Sequence, residues 1–126
     1  MTLNIFDASL QSLQRALDVR GQKHTALAGD LANADTPGFS PVDINFDAAM
    51  EAAASADAAG TAPLQVEANA GDGEAIAGAP GLDGNRVDVD RTLAALAENG
   101  MQYGAAARAA SKKLAILRYV AGDGVG

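Results

Sequence analysis

The stretch LNIFDASLQSLQRALDVRGQKHTALAGDLANA, residues 3 to 34, carries apolar side chains at Leu3, Phe6, Leu10, Leu13, Leu17, Leu27, Leu31 and Ala34. The steps alternate between three and four, broken only where Arg20 and His24 take the corresponding places. That is a heptad seam, and it predicts one amphipathic helix from about Asp7 to Asn33, on the order of 40 Å long. A second stretch repeats the spacing through Val89, Leu93, Leu96, Gly100, Tyr103, Ala107, Ala110, Leu114, Leu117 and Ala121. It predicts a helix of about 50 Å from Val89 to Ala121. Similar lengths suit antiparallel pairing.

The ends of both helices carry matching signals. Asp88 is placed to cap the second helix and Asp90 to sit in its positive first turn, while Lys112, Lys113 and Arg118 complement the opposite pole. Gly122 is the expected stop. The first helix meets Asp35-Thr36-Pro37-Gly38, where Pro37 biases Thr36 away from helical geometry.

Between the two lies a segment of different character. From Ala34 to Asp83 there are nine acidic residues and no Lys or Arg, and all four prolines (Pro37, Pro41, Pro63, Pro80) fall within it. Proline interrupts helices and like charges oppose compaction, so this middle is expected to be extended and partly disordered. Its Ala, Gly and Asp content from Ala52 to Gly81 approaches low complexity. The resulting expectation is an all-α fold: two long terminal helices pairing as an antiparallel coiled-coil-like hairpin. Its parts are an N-terminal heptad helix over 1–34, a turn and variable acidic loop over 35–83, and a C-terminal heptad helix with a short tail over 84–126, together one domain.

Composition narrows the function. The formal charge of −7 gives no basic field for nucleic acid, and an acidic membrane surface would repel the chain. No run of about 18 apolar residues predicts membrane insertion, and the first residues lack the basic start and apolar core of a cleaved signal. With no cysteine, thiolate nucleophiles and Cys-ligated metals are excluded. His24, the one histidine, has Asp30 six residues away and no elbow-type serine, so it reads as a polar seam residue setting register beside Arg20. A small hydrolase built on His24 has no supporting feature.

The cluster Asp83-Gly84-Asn85 and Asp88-Val89-Asp90 departs from a calcium loop, with Val87 where an oxygen ligand is needed and Asp88 where glycine is needed. It reads as a turn and a helix cap. Gly71-Asp72-Gly73 and Gly122-Asp123-Gly124 lack a phosphate-loop lysine. Arg108, Lys112, Lys113 and Arg118 read as a solvated helix face, with an electrostatic contact to a neighbouring subunit's acidic middle as the alternative. No catalytic residue, cofactor or metal is assigned.

Two helices make a thin bundle. Burying a large side chain contributes about 1.5–3 kcal/mol while ordering costs about 1–2 kcal/mol per residue, so an isolated pair interrupted by Arg20, His24, Gly100 and Gly104 predicts completion by other chains. The residues expected to carry that packing are Leu10, Leu13, Leu17, Leu27, Leu31, Leu93, Leu96, Tyr103, Leu114 and Leu117. Small seam residues such as Gly100, Ala107 and Ala110 would allow close helix approach.

The run Leu27-Ala28-Gly29-Asp30-Leu31-Ala32-Asn33-Ala34-Asp35-Thr36-Pro37-Gly38-Phe39 resembles the signature of flagellar rod and hook proteins, with the motif turn at Asn33, Thr36, Pro37, Gly38 and Phe39. Asn85 to Arg91, Leu96 to Asn99 with Tyr103, and Lys112 to Arg118 resemble the shorter proximal rod members of the flagellar basal-body rod protein family. Asp30 stands where that family often has Asn. The resemblance implies a structural, non-enzymatic subunit of the bacterial flagellar basal body, needed for motility and exported by the type III apparatus without a cleaved signal. It further implies self-assembly, with copies of itself and other rod proteins as partners, between the membrane-embedded ring and the distal rod, where the subunit transmits torque. The alternative from the residues alone is a self-contained helical adaptor or export-chaperone-like binding protein.

Overall fold

The computed structural model describes residues 8–60 and 65–123. Four helices follow one another: α1 Ala8–Ala32, α2 Phe46–Ala58, the single turn α3 Ala70–Gly73, and α4 Val89–Asp123. Among the described residues there is no strand, only isolated bridges between Asp43 and Asn69 and between Ala77 and Val87. The seam positions Leu3 and Phe6 and the loop residue Pro63 lie outside the described residues.

The two long helices form where their apolar spacing places them, and they pack on each other. At the standard rise α1 is about 37 Å long and α4 about 52 Å. Hydrogen bonds link Ser9 with Lys113 and Arg20 with Asn99 between the two helices, and Asn33 with Asn85 just outside them. Asp88 caps α4, its carboxylate accepting the Arg91 N–H at 3.1 Å and its carbonyl the Thr92 N–H at 2.9 Å. Gly122 does not stop α4. It does not take the left-handed conformation that a glycine C-cap requires, and the helix runs through it to Asp123.

The acidic middle differs from the expected extended loop over residues 46–58, which are helical. Asn45 supplies the cap by accepting the Ala48 N–H at 3.0 Å, and Asp47 sits in the first turn. The alanine-rich sequence that follows has high helix propensity, and no proline occurs between Pro41 and Pro63. The charge argument also misses the pairing: Asp57 meets Arg15, Asp43 meets Lys23 at 2.7 Å, and Glu74 meets Arg86 at 2.8 Å. Three of the nine acids of the middle thus pair with bases of the two flanking segments.

Consequently α1 uses two faces. One meets α4; the other, marked by Arg15, Val19, Lys23 and Asp30 at steps of four, four and seven, receives the returning middle segment. Val19, Ile44 and Ala49 form a small buried cluster, with Phe46, Met50, Val66 and Ala68 packed against it. Gly73 permits the closest approach in this layer, since a Cβ there would lie 2.1 Å from the Pro41 carbonyl oxygen.

Candidate functional site: the pinned turn and the outer helix face

Thr36-Pro37-Gly38-Phe39 forms a tight turn. The Thr36 carbonyl accepts the Phe39 N–H at 3.2 Å, and Gly38 has φ +72°. Proline at the second place and a left-handed glycine at the third are what a type II turn demands. This turn is fastened to the start of the C-terminal half. Gly38 N–H donates to the Asp83 carbonyl at 2.9 Å and Arg86 N–H to the Phe39 carbonyl at 2.9 Å.

The fastening centres on Asn85, whose side chain is buried. Its Nδ2 donates to the Asn33 carbonyl at 2.9 Å and the Thr36 carbonyl at 2.6 Å, while its Oδ1 accepts the Val87 N–H at 2.8 Å. One amide therefore joins the end of α1, the turn and the lead into α4. Asn33 Nδ2 in turn donates to the Gly29 carbonyl at 2.8 Å, and Thr36 Oγ1 to Asn33 Oδ1 at 3.1 Å.

Asp30 locks the next layer. It is fully buried, and its carboxylate accepts the Val42 N–H at 3.0 and 3.2 Å. Burial holds the Asp30 carboxyl above the usual carboxylate range, the Val42 N–H pulling it back and Asp43 pushing it further up. The folded state then binds this proton more tightly than the unfolded state. Asp30's contribution is fully present below the ordinary carboxylate pKa and is lost as pH rises through the raised value. Asp30→Asn keeps an acceptor and removes the titration, so its stability relative to the parent should improve as pH rises through that window. Asp30→Ala deprives Val42 of its acceptor and should cost about 1–3 kcal/mol at neutral pH. Thermal melts across pH check both, and a gap between Asp30→Asn and parent that is flat with pH would contradict a buried carboxyl.

Along the helix pair, Leu10 and Leu27 are buried and Leu13, Leu17, Leu31, Leu96 and Leu117 half-buried. Leu93, Tyr103 and Leu114 are 47, 44 and 50% exposed. The positions of α4 that are most deeply buried are instead Thr92 and Asn99, one residue earlier than the seam positions Leu93 and Gly100. Thr92 Oγ1 donates to the Asp88 carbonyl at 2.8 Å, which lets a polar residue occupy a buried site. Asn99 Nδ2 donates to the Arg20 carbonyl at 2.9 Å, and the Arg20 guanidinium stands 3.6 Å from the centroid of the Phe46 ring. Burial lowers the Arg20 pKa while Glu98 and Asp47 raise it, and the group remains a cation.

The polar crossing of the seam is therefore made by Arg20 and Asn99, while His24 is exposed. His24 borders an open groove of about 640 Å³ with Ala28 and Leu31 from α1 and Leu93, Leu96 and Ala97 from α4. Within the single chain Gly100 does not serve close approach, because a Cβ built there meets nothing within 4 Å. Beyond the groove, Ile116, Tyr119 and Val120 are 63 to 70% exposed along the last turns of α4. Among the described residues no group of His, Asp and Glu gathers as a metal site would require, and Asp83 and Asp88 accept backbone N–H groups from Asn85 and Arg91. Among the described residues no helix is long and apolar enough to cross a membrane.

The roles of Asn85, Thr92, Asn99 and Val19 escape periodicity. The first three are polar residues on buried faces, and Val19 belongs to the second face of α1. The available signal was the Val19, Lys23 spacing of four, too short alone to mark a stripe.

No protein-family model matches the chain. Curated relatives do. The flagellar basal body rod protein FlgB of Escherichia coli is 36% identical over 123 aligned residues, spanning 80% of this chain and 83% of the relative. FlgB of Aeromonas hydrophila is 34% identical over 110 residues, spanning 78% and 80%, and FlgB of Salmonella typhimurium 33% over 115, spanning 80% and 83%. With identity of this order extending over four fifths of both partners, the chain belongs to the FlgB family of flagellar basal-body rod proteins.

Proposed function

We propose that this chain is a structural, non-enzymatic subunit of the proximal rod of the bacterial flagellum, acting by polymerisation. The observation that carries the reading is kinship to FlgB across four fifths of the chain. The exposed apolar residues of α4 support it physically, because an extended exposed apolar surface on a soluble chain marks an interaction site.

In this reading α1 and α4 form an antiparallel coiled-coil-like hairpin within a single domain, with segment 35–83 folded against it. Leu10, Leu13, Leu17 and Leu27 serve the hairpin, and Leu31, Leu93, Leu96, Tyr103, Leu114 and Leu117 serve contacts to other subunits. The pinned Thr36-Pro37-Gly38-Phe39 turn directs the chain outward at a fixed angle, which suits a shaft transmitting torque. Partners are copies of the chain, other rod proteins and the rod-to-ring junction, without membrane insertion. The chain reaches the basal body by type III export without a cleaved signal.

Deletion of the gene followed by imaging of purified basal bodies tests this. The expected result is a retained membrane ring with no rod, restored by the full chain. Normal rods in the deletion strain would refute the reading.

A further inference from the structure

Residues 77–87 fold as a narrow ribbon. Gly78 N–H donates to the Arg86 carbonyl at 2.8 Å, Gly81 N–H to the Asn85 carbonyl at 2.9 Å, and Gly84 N–H to the Gly81 carbonyl at 3.0 Å. Gly84 has φ +79°, as in a three-residue hairpin loop. At its tip stands Leu82, with an exposure of 112%, the highest of any large apolar residue described. The tip is also tied to the Pro37-Gly38 turn through Gly38 N–H and the Asp83 carbonyl. A leucine held out to solvent on backbone fixed at this many points loses little entropy on docking.

The surroundings of the tip are acidic. Asp35, Asp83 and Asp90 are exposed at this end of the helix pair and make no ion pair among the described residues, whereas Arg86 and Arg91 are engaged with Glu74 and Asp88. The opposite end has the complementary character. There α4 exposes Ile116, Tyr119 and Val120, and its exposed charges among the described residues from 108 onward are Arg108, Lys112 and Arg118 against Asp123. One end is a rigid acidic apolar knob and the other a basic apolar helix face. Two different surfaces that match each other make a heterologous contact, which propagates rather than closing on a dimer.

We propose that the Leu82 tip of one copy docks on the Tyr119 face of the last turns of α4 in a second copy, joining subunits head to tail. This rests on the reading of the chain as a self-assembling subunit and names a contact by which it assembles. Within one chain the two surfaces cannot meet, because the rise from Val89 to Tyr119 is about 45 Å and a disulfide needs Cα atoms about 4.4–6.8 Å apart.

The absence of native cysteine makes the test clean. Full-length chains are prepared with Leu82→Cys, with Tyr119→Cys, with both, and with Leu82→Cys plus Ser55→Cys as a control on the exposed face of α2. Each is checked for helical content by circular dichroism and oxidised at rising concentration. The expected result is a ladder of covalent multimers for the 82/119 double variant. A mixture of the two single variants, one carrying a mass tag, should yield mixed dimers and stop there. Adding Lys112→Glu and Arg118→Glu should lower the 82–119 yield about tenfold by placing acids against acids.

Equal yields from the 82/119 and 82/55 pairs, or no intermolecular disulfide at any concentration, would overturn the contact. A chain that restores rods in the deletion strain yet never cross-links 82 to 119 rejects this contact and leaves the rod reading standing. Rods that form without the chain reject the rod reading whatever the cross-linking.

Discussion

Leu27→Ala is expected to destabilise the isolated chain by about 2–5 kcal/mol, the range for emptying a buried leucine site whose walls relax only partly. Leu27 has no exposed surface and lies on α1 between the half-buried Leu31 and the polar crossing at Arg20. Few other large apolar side chains are buried at all: Leu10, Val19, Ile44 and Ile76 complete that set among the described residues. Against a total stability of about 5–15 kcal/mol for an ordinary domain, the loss is a large fraction. Thermal or urea denaturation followed by circular dichroism should show a lowered midpoint with an unchanged folded baseline. A shift of less than about 1 kcal/mol, the scale of ordinary surface changes, would mean that Leu27 is not the anchor its burial makes it.

Asn85→Ala should cost about 2–4 kcal/mol, because it removes two donated hydrogen bonds and leaves the Val87 N–H without its acceptor. The damage should be local at first. Gly38 and Arg86 amides, which bond across the same joint, should exchange with solvent sooner than amides in the middle of α1. Asn85→Asp separates the two functions of the side chain: it keeps the oxygen facing Val87 and loses the donors facing Asn33 and Thr36. It should therefore recover only a minor part of the loss. An Asp variant as stable as the parent would show that the donated bonds do not fasten the turn.

The long helices were legible because a repeat of three and four apolar steps over 25 or more residues has few other readings. The cap at Asp88 and the turn at Pro37-Gly38 were legible for a related reason: each depends on the backbone chemistry of one or two residue types. Charge counted along the sequence does not reveal how the middle segment folds, because Asp43, Asp57 and Glu74 find their cations at Lys23, Arg15 and Arg86, 12 to 42 residues away. Long-range pairing of that kind leaves no periodic trace. The burial of Thr92 and Asn99 was hidden for a different reason. Each donates to a backbone carbonyl, Thr92 to Asp88 just before its own helix and Asn99 to Arg20 of the facing one, and a hydrophobic pattern gives no weight to residues that are buried by being bonded. The leucine spacing is plain in the sequence, but which of these leucines are buried in the single chain is not, since a shift of one residue rotates a helix by about 100°.

Leu93 and Leu114 are about half exposed in the single chain, so Leu93→Asp with Leu114→Asp should leave helical content and melting temperature close to the parent's. In cells that make only this double variant, basal bodies viewed by electron microscopy should show rings without rods, with the exported variant recovered unassembled. Normal rods built from the folded double variant would contradict the claim that these outer leucines join one subunit to the next.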